Sequence, residues 1–364
     1  FVALALALHS RARRWTMLLA FAAGIAAALA PMALRNLEVT DTATVFPAHG
    51  GGTSFYIGNN AKARGVWNPA GVFTGDVTHE RDELGRTPAN GEAEGVRVAA
   101  MGRELYERAW ADIAEDPARW IWLECRKLWL LLGNDELAQD FDVYGERELI
   151  PWAYPFGVPF GLVLALAIVG AHAWWRERAS DPLMRGRLLV LGGLALASIA
   201  ANIVFFTSSQ HRVPLVIPLV VLAGVGLQRL LAHGRDRTWL RAHRVVLAIA
   251  MLIAAQAMWP RSRTHSPSAA HYLNLALAYD RVSELRPALG AADKAVAIAP
   301  DHPVIRMERA SFRRQIGDLD GAKADLEHLA TLPTPPAWVL HRAASEAQSI
   351  ATTEATRELA APRK

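Results

Sequence analysis

The sequence predicts an all-α protein with a polytopic α-helical membrane domain, a polar loop that forms a cap outside the membrane, and a small C-terminal helical repeat domain. Two observations carry this prediction. Apolar residues cluster into blocks of membrane-spanning length, and the charged segment after residue 260 contains residues that recur every 34 positions. Although 52% of the residues are hydrophobic, their clustering favours a membrane protein over one large soluble core.

The apolar blocks are expected to be transmembrane helices. A helix rises about 1.5 Å per residue, so about 20 apolar residues cross the hydrocarbon. Five blocks approach this length, namely residues 15–33, 152–175, 188–207, 213–232 and 245–259. The last block has only 15 residues, but arginines before it can snorkel and Trp259 can sit at the far interface.

These blocks divide the chain into four parts. Residues 1–33 hold the end of one membrane helix and one full span, and residues 34–151 form the cap loop with amphipathic helices. Residues 152–259 hold four spans, and residues 260–364 form the repeat domain. The chain starts with Phe1 in the middle of an apolar run, so we expect a C-terminal fragment of a longer protein.

The distribution of arginine predicts the orientation in the membrane. Residues 9–14, 176–187 and 233–244 are rich in arginine, whereas the short connection 208–212 carries only Arg212. Short loops rich in Lys and Arg stay on the cytoplasmic side. We therefore expect the cap and the repeat domain on the outer face of the membrane.

Two helices are expected within the cap, over residues 96–115 and 118–132. The first has apolar residues at helical spacing with charges between them. The second contains Trp120, Trp122 and Trp129 together with four charged residues, which favours a helix lying along the membrane surface over a sixth span. Lys127 in this helix is expected to meet lipid headgroups or a lipid-linked diphosphate.

Composition excludes several classes of function. Residues 34–150 hold 20 acidic and 12 basic side chains, which argues against a nucleic-acid partner despite the net charge of +4. The single cysteine rules out an internal disulfide. Phosphate-loop, zinc-protease and nucleophile-elbow motifs do not occur. No cofactor is identified, and the question of a divalent metal stays open.

Three motifs carry a resemblance to a known family. The first is Arg35-Asn36 followed by a Gly-rich stretch that ends in Tyr56, Asn59 and Asn60. The second runs from Asp116-Pro117 through Lys127 to Glu136, and the third is His211-Arg212-Val213-Pro214 with Pro218. Together they resemble the second half of bacterial membrane glycosyltransferases of the family 39, protein-mannosyltransferase-like type, over about residues 15–232.

The resemblance implies that the chain takes part in sugar transfer from a polyprenyl-phosphate donor at the outer face of a bacterial inner membrane. It also implies a catalytic acidic residue upstream of residue 1, so no catalytic residue is assigned here. The expected contacts to the donor are Arg35, Asn36, Tyr56, Asn59, Asn60 and Arg212. A guanidinium can bind a phosphate through paired hydrogen bonds, and neutral polar groups suit hydroxyl-rich ligands. The alternatives are an ordinary membrane-edge turn and interface anchoring by the arginines.

The segment after residue 260 resembles the tetratricopeptide repeat. Small or apolar residues recur 34 positions apart, in the pairs Ala276/Ala310, Val282/Ile316, Ser283/Gly317, Ala288/Ala322 and Ala295/Leu329. Two repeats and a further helix over residues 337–350 are expected, with an unrelated helical bundle as the alternative. Such repeats imply a protein or peptide partner.

Two other functions are consistent with this organisation. A non-catalytic membrane scaffold would present the repeat domain to a partner, and an enzyme resembling O-antigen ligases would also combine a large outer loop with terminal repeats. Acidic residues in an upstream outer loop would favour the transferase, and their absence would favour the scaffold.

Overall fold

The computed structural model describes residues 14–40, 51–67, 94–139, 142–153, 158–177, 182–259, 267–333 and 335–360. Within these ranges the regular structure is helical, apart from an isolated parallel bridge between Val66 and Thr207. The prediction of an all-α protein is therefore confirmed for the described part of the chain.

The described helices fall into two compact units, and their labels follow chain order. The first unit contains α1 (Arg14–Thr40), α2 (Gly51–Asn59), α3 (Glu94–Glu115), α4 (Pro117–Leu131), α6 (Phe160–Glu177), α7 (Pro182–Val204), α8 (Ser209–His233), α9 (Arg237–Ala242) and α10 (Arg244–Met258). The second contains α5 (Val143–Leu149), α11 (Ala269–Arg281), α12 (Leu285–Ile298), α13 (Pro303–Ile316), α14 (Leu319–Thr331) and α15 (Ala337–Ala360).

Three helices are long and apolar enough to cross a membrane, namely α1, α7 and α8. They correspond to the spans predicted over 15–33, 188–207 and 213–232. Large apolar side chains on α1, such as Leu19 and Leu34, are more than 60% exposed, so this helix needs an apolar environment outside the protein. Helix α10 is apolar but has only 15 residues, and its crossing remains a prediction.

The block predicted as a span over 152–175 begins later than expected. Pro151–Ala153 form a 3-10 turn, and α6 starts only at Phe160. The residue before a proline is disfavoured in the helical conformation, so Val158 ahead of Pro159 is held outside the helix. Helix α6 therefore has 18 residues. It is not among the three described helices that are long and apolar enough to cross a membrane, so its crossing also remains a prediction.

Glycines bring α6 and α8 into backbone contact. A Cβ atom at Gly170 would lie 1.9 Å from the Leu222 carbonyl oxygen, and one at Gly226 would lie 2.0 Å from the Leu166 oxygen. Close approach through small residues is how helices associate in lipid, where burial of apolar surface gives little driving force.

Residues 35–60 differ from the polar loop that the sequence predicted. Arg35 lies inside α1, which continues to Thr40, and residues 51–59 form helix α2. Residues 41–50, including Gly50, lie outside the described residues. Glycine has low helix propensity, but α2 is held by Phe55, which packs against Ala109 and Ile113 of α3.

The two glycines of α2 that matter for packing face protein backbone. A Cβ atom at Gly52 would lie 1.9 Å from the carbonyl oxygen of Gly102 in α3, and one at Gly58 would lie 1.7 Å from the Phe205 oxygen. These positions accept no side chain, because neighbouring backbone fills the space. Their structural role is close packing of α2 between α3 and the end of α7.

The second unit repeats with the 34-residue offset seen in the sequence. Helices α11 and α13 begin at Ala269 and Pro303, and α12 and α14 begin at Leu285 and Leu319. The matched pairs Ala276/Ala310 and Ala288/Ala322 are fully buried. Ser283 and Gly317, also a matched pair, both have positive φ, at 62° and 91°. Sequence period and backbone geometry therefore agree.

Helix α5 comes from the predicted cap but belongs to the second unit. The Ser268 backbone amide donates to Asp142 Oδ2 at 2.7 Å, and the Tyr272 hydroxyl donates to Glu148 Oε2 at 2.8 Å. Burial and the bond to Glu148 raise the pKa of Tyr272 to about 12, so the hydroxyl stays a donor at neutral pH.

Candidate functional site

Asn59 is the centre of a polar junction formed by α2, α4 and the end of α7. Its side-chain amide donates to the carbonyl oxygens of Phe55 at 2.8 Å and Val204 at 2.9 Å. Its Oδ1 accepts from Trp120 Nε1 at 3.1 Å and from Lys127 Nζ at 3.0 Å. Both amide hydrogens and both oxygen lone pairs are therefore used within the protein.

Lys127 is the buried cation of this junction, with no exposed side-chain surface. Its ammonium donates to Glu124 Oε1 at 2.6 Å, to the Ile203 carbonyl oxygen at 2.8 Å and to Asn59. Burial lowers the pKa of Lys127, and the nearby Glu124 opposes this shift. Burial likewise raises the pKa of Glu124. The expectation that Lys127 meets lipid headgroups is corrected, because the side chain points into the protein.

The position of the junction follows from the end of α7. The last four carbonyl groups of a helix have no partner within it and carry partial negative charge. Ile203 and Val204 supply two of these carbonyls, and they accept from Lys127 and Asn59. A buried cation and an amide thus cap α7 where the chain turns towards α8.

Asn60 and Arg119 extend the junction on the side of α2. The Asn60 amide donates to the Tyr56 carbonyl oxygen at 2.8 Å, which caps the end of α2, and Asn60 Oδ1 accepts from the Lys62 amide. Arg119 Nη1 donates to the Asn60 carbonyl oxygen at 3.2 Å. Arg119 Nη2 is buried without a hydrogen-bond partner among the described residues. The Tyr56 ring is half-buried against the cluster around Phe55.

Arg212 lies in the first turn of α8 and is 5% exposed. Its Nη1 donates to the Gly133 carbonyl oxygen at 2.6 Å, and its Nη2 donates to Glu136 Oε2 at 3.2 Å. The guanidinium also lies 4.6 Å from the centre of the Phe160 ring. Protein groups therefore occupy the fork that was expected to bind a phosphate.

The turn between α7 and α8 is fixed to the segment after α4. Ser208 caps α8 by accepting from the His211 amide, and its hydroxyl donates to Gln139 Oε1 at 2.9 Å. Asn202 donates to the His211 carbonyl oxygen at 2.8 Å. The turn that carries Arg212 is thus held by several independent bonds.

Arg35 and Asn36 lie near the end of α1. Arg35 is exposed and Asn36 is buried. The Asn36 carbonyl oxygen accepts from the Thr40 hydroxyl at 2.8 Å. Among the six residues expected to contact the donor, Arg35 presents the most accessible charge.

In the structure, hydrogen bonds between motif residues connect the three sequence motifs. Asn59 and Asn60 of the first motif bond to Trp120, Lys127 and Arg119 of the second. Glu136 of the second motif bonds to Arg212 of the third. Sequence reasoning missed Glu124, although its position three residues before Lys127 is the spacing at which helical side chains meet.

Helix α4 exposes its other face, which is apolar. Leu123, Lys127, Leu130 and Leu131 are buried. The residues exposed on one stripe of the helix are Ile121, Trp122, Cys125, Leu128 and Trp129. The two sets of residues divide the helix into a protein-facing side and an apolar outer side.

The described residues contain no group of three or more His, Cys, Asp or Glu side chains placed to hold a metal ion. Comparisons of the chain with protein-family models, with curated proteins and with solved structures return no match.

Proposed function

We propose that this chain is the C-terminal part of an integral-membrane glycosyltransferase that transfers a sugar from a polyprenyl-phosphate donor at the outer face of the membrane. The observation that supports the proposal best is the connection of the three motifs. The motifs are far apart in sequence, yet hydrogen bonds link Asn59 and Asn60 of the first to the second, and Glu136 of the second to Arg212 of the third.

The contacts favour a division of roles within the proposed site. Asn59, Asn60 and Arg212 form a buried framework, since their polar atoms are bonded to protein groups. Arg35 is the expected contact to the donor phosphate, because it is exposed at the end of a membrane-spanning helix. The Tyr56 hydroxyl would serve as a neutral contact to the donor.

The proposed outer location rests on the arginine-rich loops and on which chain segments the second unit contains. Residues 142–149 and 267–360 belong to one compact unit, and a bilayer cannot pass through such a unit. The chain therefore crosses the membrane an even number of times between residues 150 and 266. Helices α7 and α8 are long and apolar enough for two of these crossings, so the outer location requires that α6 and α10 both cross.

The second unit supports a further part of the proposal, a tetratricopeptide-like domain that binds a protein or peptide. Helix starts, buried alanines and positive-φ turns all recur after 34 residues, and this recurrence favours a tetratricopeptide-like domain over an unrelated bundle. The same register also favours the second candidate function, a membrane-anchored scaffold without catalysis.

An assay of sugar transfer tests the proposal. Membranes from cells that express the complete gene product are supplied with a labelled polyprenyl-phosphate sugar, and labelled acceptor is measured. Arg35→Gln should lower transfer roughly tenfold, as expected for the loss of a charge-assisted hydrogen bond of about 1.5 kcal/mol. Arg103→Gln, an exposed arginine on α3, should leave transfer unchanged.

Transfer that does not depend on the expressed protein would contradict the glycosyltransferase. If the second unit nevertheless retained a peptide partner in the same membranes, the scaffold would be the better description.

A further inference from the structure

The ends of four helices meet at one end of the first unit. Helix α6 ends at Glu177 and α7 begins at Pro182, and α8 continues through α9 into α10. The rings of His172 in α6 and His243 before α10 lie 5.6 Å apart. Arg229 of α8 is paired with Glu177 of α6. These contacts place the C-terminal end of α6 beside the segment that leads from α8 to α10.

This end of the unit presents an arginine surface. Its described members are all exposed, namely Arg176, Arg185, Arg187, Arg235, Arg237, Arg241 and Arg244. Two carboxylates occur in the same described stretches, and both are engaged. Glu177 pairs with Arg229, and Asp236 accepts from the backbone amide and hydroxyl of Thr238. None of the seven arginines forms a salt bridge with a described carboxylate.

A stack of rings fixes the central part of this surface. The Trp239 ring stacks on His243 at 4.4 Å and on His233 at 5.8 Å. Arg237 and Arg241 lie four residues apart on α9, on either side of Trp239. Like charges at this spacing repel each other in a helix, so a bound anion would stabilise the arrangement.

The type of cation indicates the type of anion. Between residues 176 and 244 every Lys or Arg position is an arginine. If only positive charge mattered on this surface, lysine would serve as well as arginine. The planar guanidinium fork of arginine, however, binds phosphate oxygens in pairs. The surface also lies at the ends of membrane-spanning helices α7 and α8, where lipid phosphates are concentrated.

We propose that the arginine surface binds the phosphate groups of anionic phospholipids in the leaflet at this end of the helices, through paired guanidinium contacts. The charge complementarity is direct, because the surface carries seven exposed arginines that form no salt bridge with a carboxylate in the described part of the chain. The inference is independent of the proposed glycosyltransferase function, since it uses none of the same residues.

Lipid retention tests this proposal. The full chain is reconstituted into nanodiscs containing equal amounts of phosphatidylcholine and phosphatidylglycerol, then extracted in mild detergent, and the retained lipids are measured by mass spectrometry. The wild type should retain phosphatidylglycerol several-fold over phosphatidylcholine. Arg237→Gln with Arg241→Gln should lose at least half of this enrichment, because the central pair of cations is removed.

A matched control removes two exposed arginines from the second unit. Arg147→Gln with Arg286→Gln should retain the wild-type enrichment. Arg237→Lys with Arg241→Lys should keep only part of it, because the charge remains and the fork is lost. Excess inorganic phosphate should leave the enrichment in place.

Three results would overturn the proposal. They are equal retention of the two lipids by the wild type, unchanged enrichment in the glutamine variant, and loss of enrichment in inorganic phosphate alone. Full enrichment in the lysine variant would overturn the paired guanidinium contact.

Discussion

Lys127 holds the polar junction together, because a single ammonium bonds to Glu124, to Asn59 and to a carbonyl at the end of α7. Lys127→Met should destabilise the protein by about 3 kcal/mol, since it leaves the Glu124 carboxylate half-buried without its partner. The unfolding temperature in detergent measures the loss.

Two further variants show whether the loss of stability comes from the unpaired Glu124 charge. Arg126→Met is the matched control, because Arg126 bonds to the exposed Arg64 carbonyl and should cost less than about 1 kcal/mol. Lys127→Met with Glu124→Gln should recover part of the stability by removing the unpaired charge. Equal stability of the Lys127 and Arg126 variants would contradict a structural role for the buried cation.

At the scale of residues, the sequence did not predict what the polar side chains contact. Asn59, Asn60 and Arg212 were expected to contact a ligand, and in the structure they bond to protein groups. Their bonding partners are backbone carbonyls such as those of Val204, Tyr56 and Gly133. A sequence shows no signal for such partners, because every residue carries the same carbonyl group.

Helix α2 depends on backbone contact with α3 at one glycine pair. Gly52→Ala should destabilise the protein by about 1 to 3 kcal/mol, because the new Cβ would lie 1.9 Å from the Gly102 carbonyl oxygen. Unfolding temperature again provides the measurement.

The same substitution at the other glycine of this contact, Gly102, is the control. A Cβ at Gly102 meets nothing within 4 Å, and alanine is favoured over glycine inside a helix. Gly102→Ala should therefore be neutral or stabilising. If both substitutions had the same effect, the close approach of α2 and α3 would be wrong.

The apolar stripe of α4 gives a prediction for the environment of Cys125. A spin label on this single cysteine should show greater collision with oxygen than with a water-soluble nickel complex, as expected for a helix lying in the membrane interface. A label at Ser345→Cys in a Cys125→Ser chain should show the reverse. Preferential collision of the Cys125 label with the nickel complex would place the stripe in water.

At the scale of elements, periodicity and length predicted the long helices but missed α2. Residues 96–115 and 118–132 were expected to be helical and form α3 and α4, because apolar residues recur on one face. The segment 51–59 has three glycines and no such face. It is helical because Phe55 packs against Ala109, and because the backbone of α3 and of the residue after α7 lies against its glycines. These contacts connect residues far apart in sequence.

For the whole molecule, the 34-residue period predicted the arrangement of α11 to α14, since each repeat contacts its neighbour in sequence. The docking of α5 on α11 was not predictable in the same way. It rests on Asp142 and Glu148 bonding to residues more than 120 positions away. Because of that contact, the cap segment and the repeat domain must lie on the same side of the membrane.

The side of the membrane is the most direct test of the proposed outer-face enzyme. In a Cys125→Ser background, single cysteines replace Arg147 in α5, Ser345 in α15 and Arg237 in α9, which are all exposed. A membrane-impermeant maleimide is added to intact spheroplasts. Arg147→Cys and Ser345→Cys should both react, and Arg237→Cys should react only after the inner membrane is broken. Labelling of Arg147→Cys and Ser345→Cys only after lysis would contradict the outer location, and labelling of one without the other would contradict the shared unit.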